Sequence, residues 1–233
     1  MSRCFLVLFA VALIGAAEAP PGPLPLVFAD DFSKGMGRWQ PTDPKGWKVI
    51  DTKDGKALSQ FHRESSYKPP HRSPYHIALV KDVTVGDFVF EARCRSTVKD
   101  YPHRDLCLFF GYRDAGHFYY AHLGKKTDDH ANQIFIVNGA DRKKISTRTT
   151  AGTNWDDGWH RVKVVRSVAD GKIEVYFDDM KKPVMTAKDK TFTAGRVGVG
   201  SFDDTGDWAD VKLRGRRLRR PAVHVPALGP VPR

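Results

Sequence analysis

At 233 residues the chain is long enough for one β domain of about 200 residues behind a removable leader, and a core of that size needs no disulfide staple. Six arginines from Arg214 onward supply more than half of the formal net charge of +11. The basic excess therefore belongs to a tail, and no nucleic-acid motif accompanies it.

Residues 1–19 read as a signal peptide. Arg3 gives the positive start, 5–14 the apolar run, and Ala17-Glu18-Ala19 the small-x-small cleavage pattern before Pro20. The apolar run is too short to span a bilayer and no later stretch attempts it. A secreted or periplasmic protein with no membrane span, and a monomer, is expected. Residues 20–25 form a proline-rich arm that joins no sheet readily, 26–214 the domain, and 215–233 a basic, proline-rich tail suited to solvent or to anionic surfaces.

Within the domain, apolar and polar residues alternate in short blocks, the mark of strands with one buried face. Residues 27–32 form the first, followed by a turn to Trp39. Residues 47–51 and 57–61 make a hairpin around Lys53-Asp54-Gly55-Lys56. A loop at 62–74, rich in His, Arg, Tyr and Pro, is longer than structural connections usually are. Strands follow at 76–83, 87–95, 106–112, 118–123, 133–137 and 144–147, the last after the turn Asn138-Gly139. The C-terminal third adds 159–166, 172–178, 196–202 and 208–213, with Asp170-Gly171 closing a hairpin. Val162 and Val164 share a face, as do Ile173, Val175 and Phe177, and Ala209, Val211 and Leu213 form an inward set opposite Trp208 and Asp210. Helical periodicity is nearly absent, so the prediction is all-β: a two-sheet antiparallel β-sandwich or jelly roll.

Two cysteines follow the leader, Cys94 and Cys107. If 87–95 and 106–112 form a hairpin, one register pairs the cysteines; a one-residue shift pairs Ala92 with Leu108, Phe90 with Phe110 and Arg95 with Asp105. Both cannot hold, because a slip of one residue turns every side chain over. The second matches apolar with apolar and charge with countercharge, and predicts two free thiols.

The same arrangement gathers a polar group: Arg93 and Arg95 on one strand, Asp105 at the start of the next, Tyr120 and His122 on a third, and Asn132 facing His122. Guanidinium forks suit a sugar carboxylate or a hydroxyl pair, and histidine or tyrosine can exchange a proton. The alternative is an exposed Arg95–Asp105 pair and a packed Tyr120. Tyr67, His71, Tyr101 and Trp155 are candidate sugar-stacking platforms. The histidines lack zinc-ligand spacing, and no cofactor is required.

Phe28-Ala29-Asp30-Asp31-Phe32, Phe109-Phe110-Gly111-Tyr112-Arg113-Asp114, Trp159-His160-Arg161-Val162-Lys163-Val164 and Gly195-Arg196-Val197-Gly198-Val199-Gly200 together resemble concanavalin A-like lectin/glucanase domains. Within that superfamily the chain looks most like laminin-G-like jelly rolls and secreted 3-keto-disaccharide hydrolase-type domains. The resemblance implies a carbohydrate partner and, at Asp31 and Asp210, positions that hold a structural calcium in some members. The superfamily's Glu-x-Asp-x-Glu run is missing. Glu174 and Asp178 share a strand face but stand about 13 Å apart, beyond the separations glycoside hydrolysis uses. The leading expectation is a glycoside-cleaving hydrolase with His122, Tyr120 and Asp105 as its catalytic groups; the alternatives are a non-catalytic glycan-binding module and a lyase for uronate-containing chains.

Overall fold

Alternation becomes strand nearly everywhere it occurs. The computed structural model describes residues 22–218; the signal peptide expected at 1–19 and the tail beyond 218 lie outside the described residues. The strands are β1 (Leu26–Asp30), β2 (Trp39–Pro41), β3 (Trp47–Thr52), β4 (Gly55–Gln60), β5 (His76–Val80), β6 (Val85–Ser96), β7 (Asp105–Asp114) and β8 (His117–Gly124). They continue with β9 (Gln133–Asn138), β10 (Lys143–Lys144), β11 (Ser146–Thr149), β12 (His160–Arg166), β13 (Lys172–Phe177), β14 (Met185–Lys188), β15 (Arg196–Ser201) and β16 (Gly206–Arg217).

They form two antiparallel sheets. The nine-stranded sheet runs β11-β14-β13-β12-β6-β16-β4-β3, with β1 also on β16; the seven-stranded sheet runs β10-β9-β8-β7-β15-β5-β2. Phe88, Phe90, Val162, Val164, Ile173, Val175, Trp208 and Leu213 of the first meet Leu106, Leu108, Phe110, Tyr119, Ala121 and Val199 of the second in one buried core. The sheets also join at a corner, where Val85 and Gly195 exchange backbone hydrogen bonds.

Three expectations are corrected. Strands β6 and β7 belong to different sheets, so the hairpin does not exist and neither register holds; β6 pairs instead with β12 and β16. The short polar loop between them carries the chain from one layer to the other. Both cysteines are buried and free. In β16 a bulge between Ala209 and Lys212, with Asp210 at φ 49, resets the alternation. Trp208 therefore joins Val211 and Leu213 in the core while Ala209 leaves it. The block 144–147 is split: Ile145 separates β10 of one sheet from β11 of the other.

The seven-stranded sheet has a second apolar layer on its outer face, comprising Ile77, Leu79, Cys107, Phe109, Tyr112, Phe118, Tyr120, Phe135 and Val137, all buried. The long loop after β4 and the turn after β9 roof it. Arg72 N–H donates to Asp141 (2.8 Å), and Arg142 N–H donates to the Arg72 carbonyl (3.1 Å). The Arg142 guanidinium donates to the Tyr120 hydroxyl (2.8 Å) and lies over the rings of Phe135 and Phe202, 4.6 and 4.4 Å from their centroids.

Candidate functional site

The polar group expected from the sequence divides between the two sheets. Arg93 and Arg95 sit on the outer face of the nine-stranded sheet, whereas Asp105, Tyr120 and His122 stand under the roof of the seven-stranded one. They are not one site. The cause is the missing β6–β7 hairpin, because crossing between layers puts the arginines and the histidine on faces that look away from each other.

Under the roof, Tyr120 is fully buried and its hydroxyl is taken by Arg142; burial pushes its ionisation far up. His122 stacks on Phe202 with centroids 5.9 Å apart and an interplanar angle of 5°. Its Nε2 lies 3.1 Å from Asp105 Oδ2, but off the line of a hydrogen bond, and both ring nitrogens are buried without a hydrogen-bonding partner. Asn132 does not face it. At φ 52, Asn132 turns its amide to donate to Thr127 Oγ1 (2.7 Å) and the Thr150 carbonyl (3.2 Å), while Gln133 takes the position opposite His122.

Two carboxyls join this buried group from the turn after β15, and neither was singled out from the sequence. Asp204 is fully buried. It accepts from the Tyr101 hydroxyl (2.8 Å), from Arg63 (3.3 Å) and from the Asp105 N–H (3.1 Å). Desolvation, then the neighbouring Asp105 charge, pushes its carboxyl up to about 6. Asp203 is exposed as a residue, yet its carboxyl is raised for the same two reasons. The Asp203-Asp204 pair stands in the sequence just after β15; its partners Arg63 and Tyr101 come from two distant loops, which no local pattern announces.

The stacking candidates fare differently. Tyr101 is committed to Asp204, and Trp155 is buried with its indole N–H on the Leu123 carbonyl (2.8 Å). The Tyr67 hydroxyl is buried without a hydrogen bond, and His71 is half-buried in the roof near Gly116.

On the other sheet the arginines build an open groove. Arg95 donates to Asp207 (2.6 Å), and Arg93 donates to Asp210 (2.6 Å) and lies 3.8 Å from Asp54. Both guanidiniums lie over the half-buried Trp159 ring, at 5.2 Å for Arg93 and 5.1 Å for Arg95. Trp159, Arg93, Arg95, Asp54 and Asp157 line a cavity of ≈ 440 Å³ between the β3–β4 turn and the start of β12. Trp159 was read from the sequence only as the first residue of a strand. Its exposure follows from Asp157-Gly158, which delays pairing until His160.

Asp31 and Asp210 line a neighbouring cavity of ≈ 330 Å³ together, but Lys34, Arg38 and Lys212 line it too. Asp31 is held by Ser33 and Asp210 by Arg93. A calcium ion there would have to displace the Arg93 bond among three cations, so this donor set suits calcium poorly.

No family model matches the chain, and no curated protein does. Solved structures resemble it in fold. A carbohydrate binding module of Bacillus subtilis, CBM66, is 19% identical with a TM-score of 0.54, over 76% of this chain and 96% of that one. Domain 4 of AbnA, an extracellular arabinanase of Geobacillus stearothermophilus, in complex with arabinotriose, is 12% identical with a TM-score of 0.55, over 84% and 95%. Peanut lectin is 13% identical with a TM-score of 0.50, over 83% and 98%. The chain is an all-β sandwich of the concanavalin A-like fold. Among the described residues, no helix is long and apolar enough to cross a membrane.

Proposed function

We propose that the chain is an extracellular carbohydrate-binding module whose ligand lies in the groove at Trp159. The observation that carries this reading is the half-buried indole held by two guanidiniums on the rim of an open cavity, with Asp54 and Asp157 beside it. An aromatic face packs against the C–H side of a sugar ring, and paired Arg and Asp side chains exchange hydrogen bonds with vicinal hydroxyls. The fold's company, a carbohydrate binding module, an arabinanase domain holding arabinotriose and a lectin, is consistent with a carbohydrate partner; the arabinanase is described as extracellular, in keeping with the leader read at 1–19.

The hydrolase reading rests on a different observation, the raised carboxyl of Asp204 beside Asp105 and His122, a pairing of acid and base under the roof. Burial disfavours it, since Asp105, Tyr120 and His122 are all closed off from solvent and a substrate would have to lift Arg142. The lyase reading meets the same obstacle: Arg93 and Arg95 occupy the other sheet, and Arg142, the arginine beside Tyr120, is taken up by that hydroxyl and by the rings of Phe135 and Phe202.

Binding of a panel of neutral and acidic oligosaccharides, arabinotriose included, by calorimetry separates the readings. Trp159→Ala should weaken the best ligand at least tenfold, about 1.4 kcal/mol, with His122→Ala unchanged. Undiminished binding by Trp159→Ala removes the groove as the site, and release of reducing ends that is abolished by His122→Ala establishes the hydrolase instead.

A further inference from the structure

Asp105, Cys107 and His122 are three chemically different metal donors on two paired strands. Cys107 and His122 are direct cross-strand partners, and Asp105 is two residues along the same face of β7. One ligand atom from each lies within 4.8 Å of the other two. We infer that these residues form a buried three-donor binding site for a divalent transition metal of the zinc type.

The distances fit the ion's size. Tetrahedral zinc, with bonds of about 2.0–2.3 Å, holds its ligand atoms about 3.4–3.6 Å apart. The Asp105 Oδ2 to His122 Nε2 distance is 3.1 Å and the Cys107 Sγ to Asp105 Oδ1 distance is 3.8 Å; with one atom taken from each residue every edge is within 4.8 Å, so side-chain shifts of at most about 1.2 Å bring the three to tetrahedral spacing. Donor chemistry narrows the choice: a thiolate among nitrogen and oxygen selects zinc over the hard cations magnesium and calcium.

A second observation points the same way. The His122 side chain is only 6% exposed, and neither of its ring nitrogens makes a hydrogen bond, a state that costs free energy and that buried imidazoles rarely keep. A metal on Nε2 would use the orphaned lone pair. Local charge agrees. The Asp204 carboxyl stands beside the donors, accepting from the Asp105 N–H (3.1 Å) and from Arg63 (3.3 Å), so two acidic side chains share this corner with one guanidinium. Cys107 is also free of competing chemistry, because Cys94 lies in the other sheet and no disulfide joins them.

All three donors are buried, so an ion there would be shut off from bulk solvent and would tie the start of β7 to β8 beneath the roof. Zinc entry releases the thiol proton and forms the metal–sulfur bond, with no redox change.

The test uses the full chain with Cys4→Ser, reduced and stripped with a chelator, titrated with Co2+ and then Zn2+. One equivalent of Co2+ should produce a thiolate-to-cobalt charge-transfer absorption that Zn2+ abolishes, and Zn2+ should raise the Tm. Cys107→Ser, nearly isosteric, should lose the band; Cys94→Ser should keep it. Asp105→Asn should weaken Co2+ binding at least tenfold, and it serves as the second variant if Cys107→Ser fails to fold. A wild-type chain that takes up cobalt without the band, or a band that survives Cys107→Ser, overturns the site. Neither result bears on sugar binding at Trp159.

Discussion

Asp204 makes the stability of this fold depend on pH with a sign opposite to that of most carboxylates. Its side chain is fully buried, and desolvation together with the Asp105 charge raises it from 3.8 to about 6. In the folded chain it therefore stays protonated at a pH where the unfolded chain has already lost the proton. The native state binds more protons across that window, so its stability falls as pH rises. The contribution is fully present below about pH 4 and gone above about pH 6. A gap of roughly two units corresponds to about 3 kcal/mol, or about 6–12 °C in Tm for a domain of this size.

Asp204→Asn removes the titration but not the shape. The variant also disturbs the bonds from Tyr101, Arg63 and the Asp105 N–H, a penalty of about 1–3 kcal/mol that does not vary with pH. The stability difference between variant and wild type should thus move by about 3 kcal/mol in the variant's favour between about pH 4 and pH 7, whatever its absolute value. Relief of Asp105 and Asp203 from a neighbouring charge acts in the same direction. Urea unfolding at half-unit pH intervals, with chelator present and the m-value checked for constancy, reads this directly. Profiles that remain parallel within about 0.5 kcal/mol would refute the assignment of a raised carboxyl to Asp204.

Arg142→Ala should cost about 2–4 kcal/mol in urea unfolding, since it strands the buried Tyr120 hydroxyl and removes two cation–π contacts; a loss below about 1 kcal/mol would mean the roof merely rests on the sheet. Gly195→Ala should destabilise the chain by about 3 kcal/mol or more, because a Cβ there would stand 2.1 Å from the Gly111 carbonyl carbon, at the corner where the sheets join; a near-normal Tm would contradict that packing. Both Cys94 and Cys107, buried with thiols raised well above their ordinary range, should resist a thiol reagent in the native state and react only on unfolding, so prompt native labelling of either would place it at the surface.

The strands were legible because each reports its own burial. In β12 and β13, Val162, Val164, Ile173 and Val175 mark the inner face without reference to any neighbour, and Gly171 at φ 77 marks the turn between them. Partnership was not legible. Nothing local distinguishes a loop that closes a hairpin from one that crosses between layers, and the chain from β6 to β7 does the second. The most persuasive feature of the false register, Arg95 opposite Asp105, has no counterpart in the fold: Arg95 pairs with Asp207 on its own sheet, and Asp105 lies beside His122 under the roof of the other. Strands β2 and β14 escaped for a simpler reason, being three and four residues long, too short for a period of two to stand out.

The aromatic outer face of the seven-stranded sheet looks like a ligand bed until its roof is weighed. Reaching it means breaking the Arg142–Tyr120 hydrogen bond, two cation–π contacts and the Arg72–Asp141 tie, each worth about 0.5–2 kcal/mol, and then wetting rings that are buried. A sugar gains little by displacing side chains that already satisfy the same surface. The groove at Trp159 asks for no such opening. Its guanidiniums are about one-third exposed, 30% for Arg93 and 33% for Arg95, and their carboxylate partners hold the forks in place while leaving donors for a ligand. On the proposed reading, a ligand there would lose little binding energy to rearrangement, which favours the open side of the nine-stranded sheet over the roofed one.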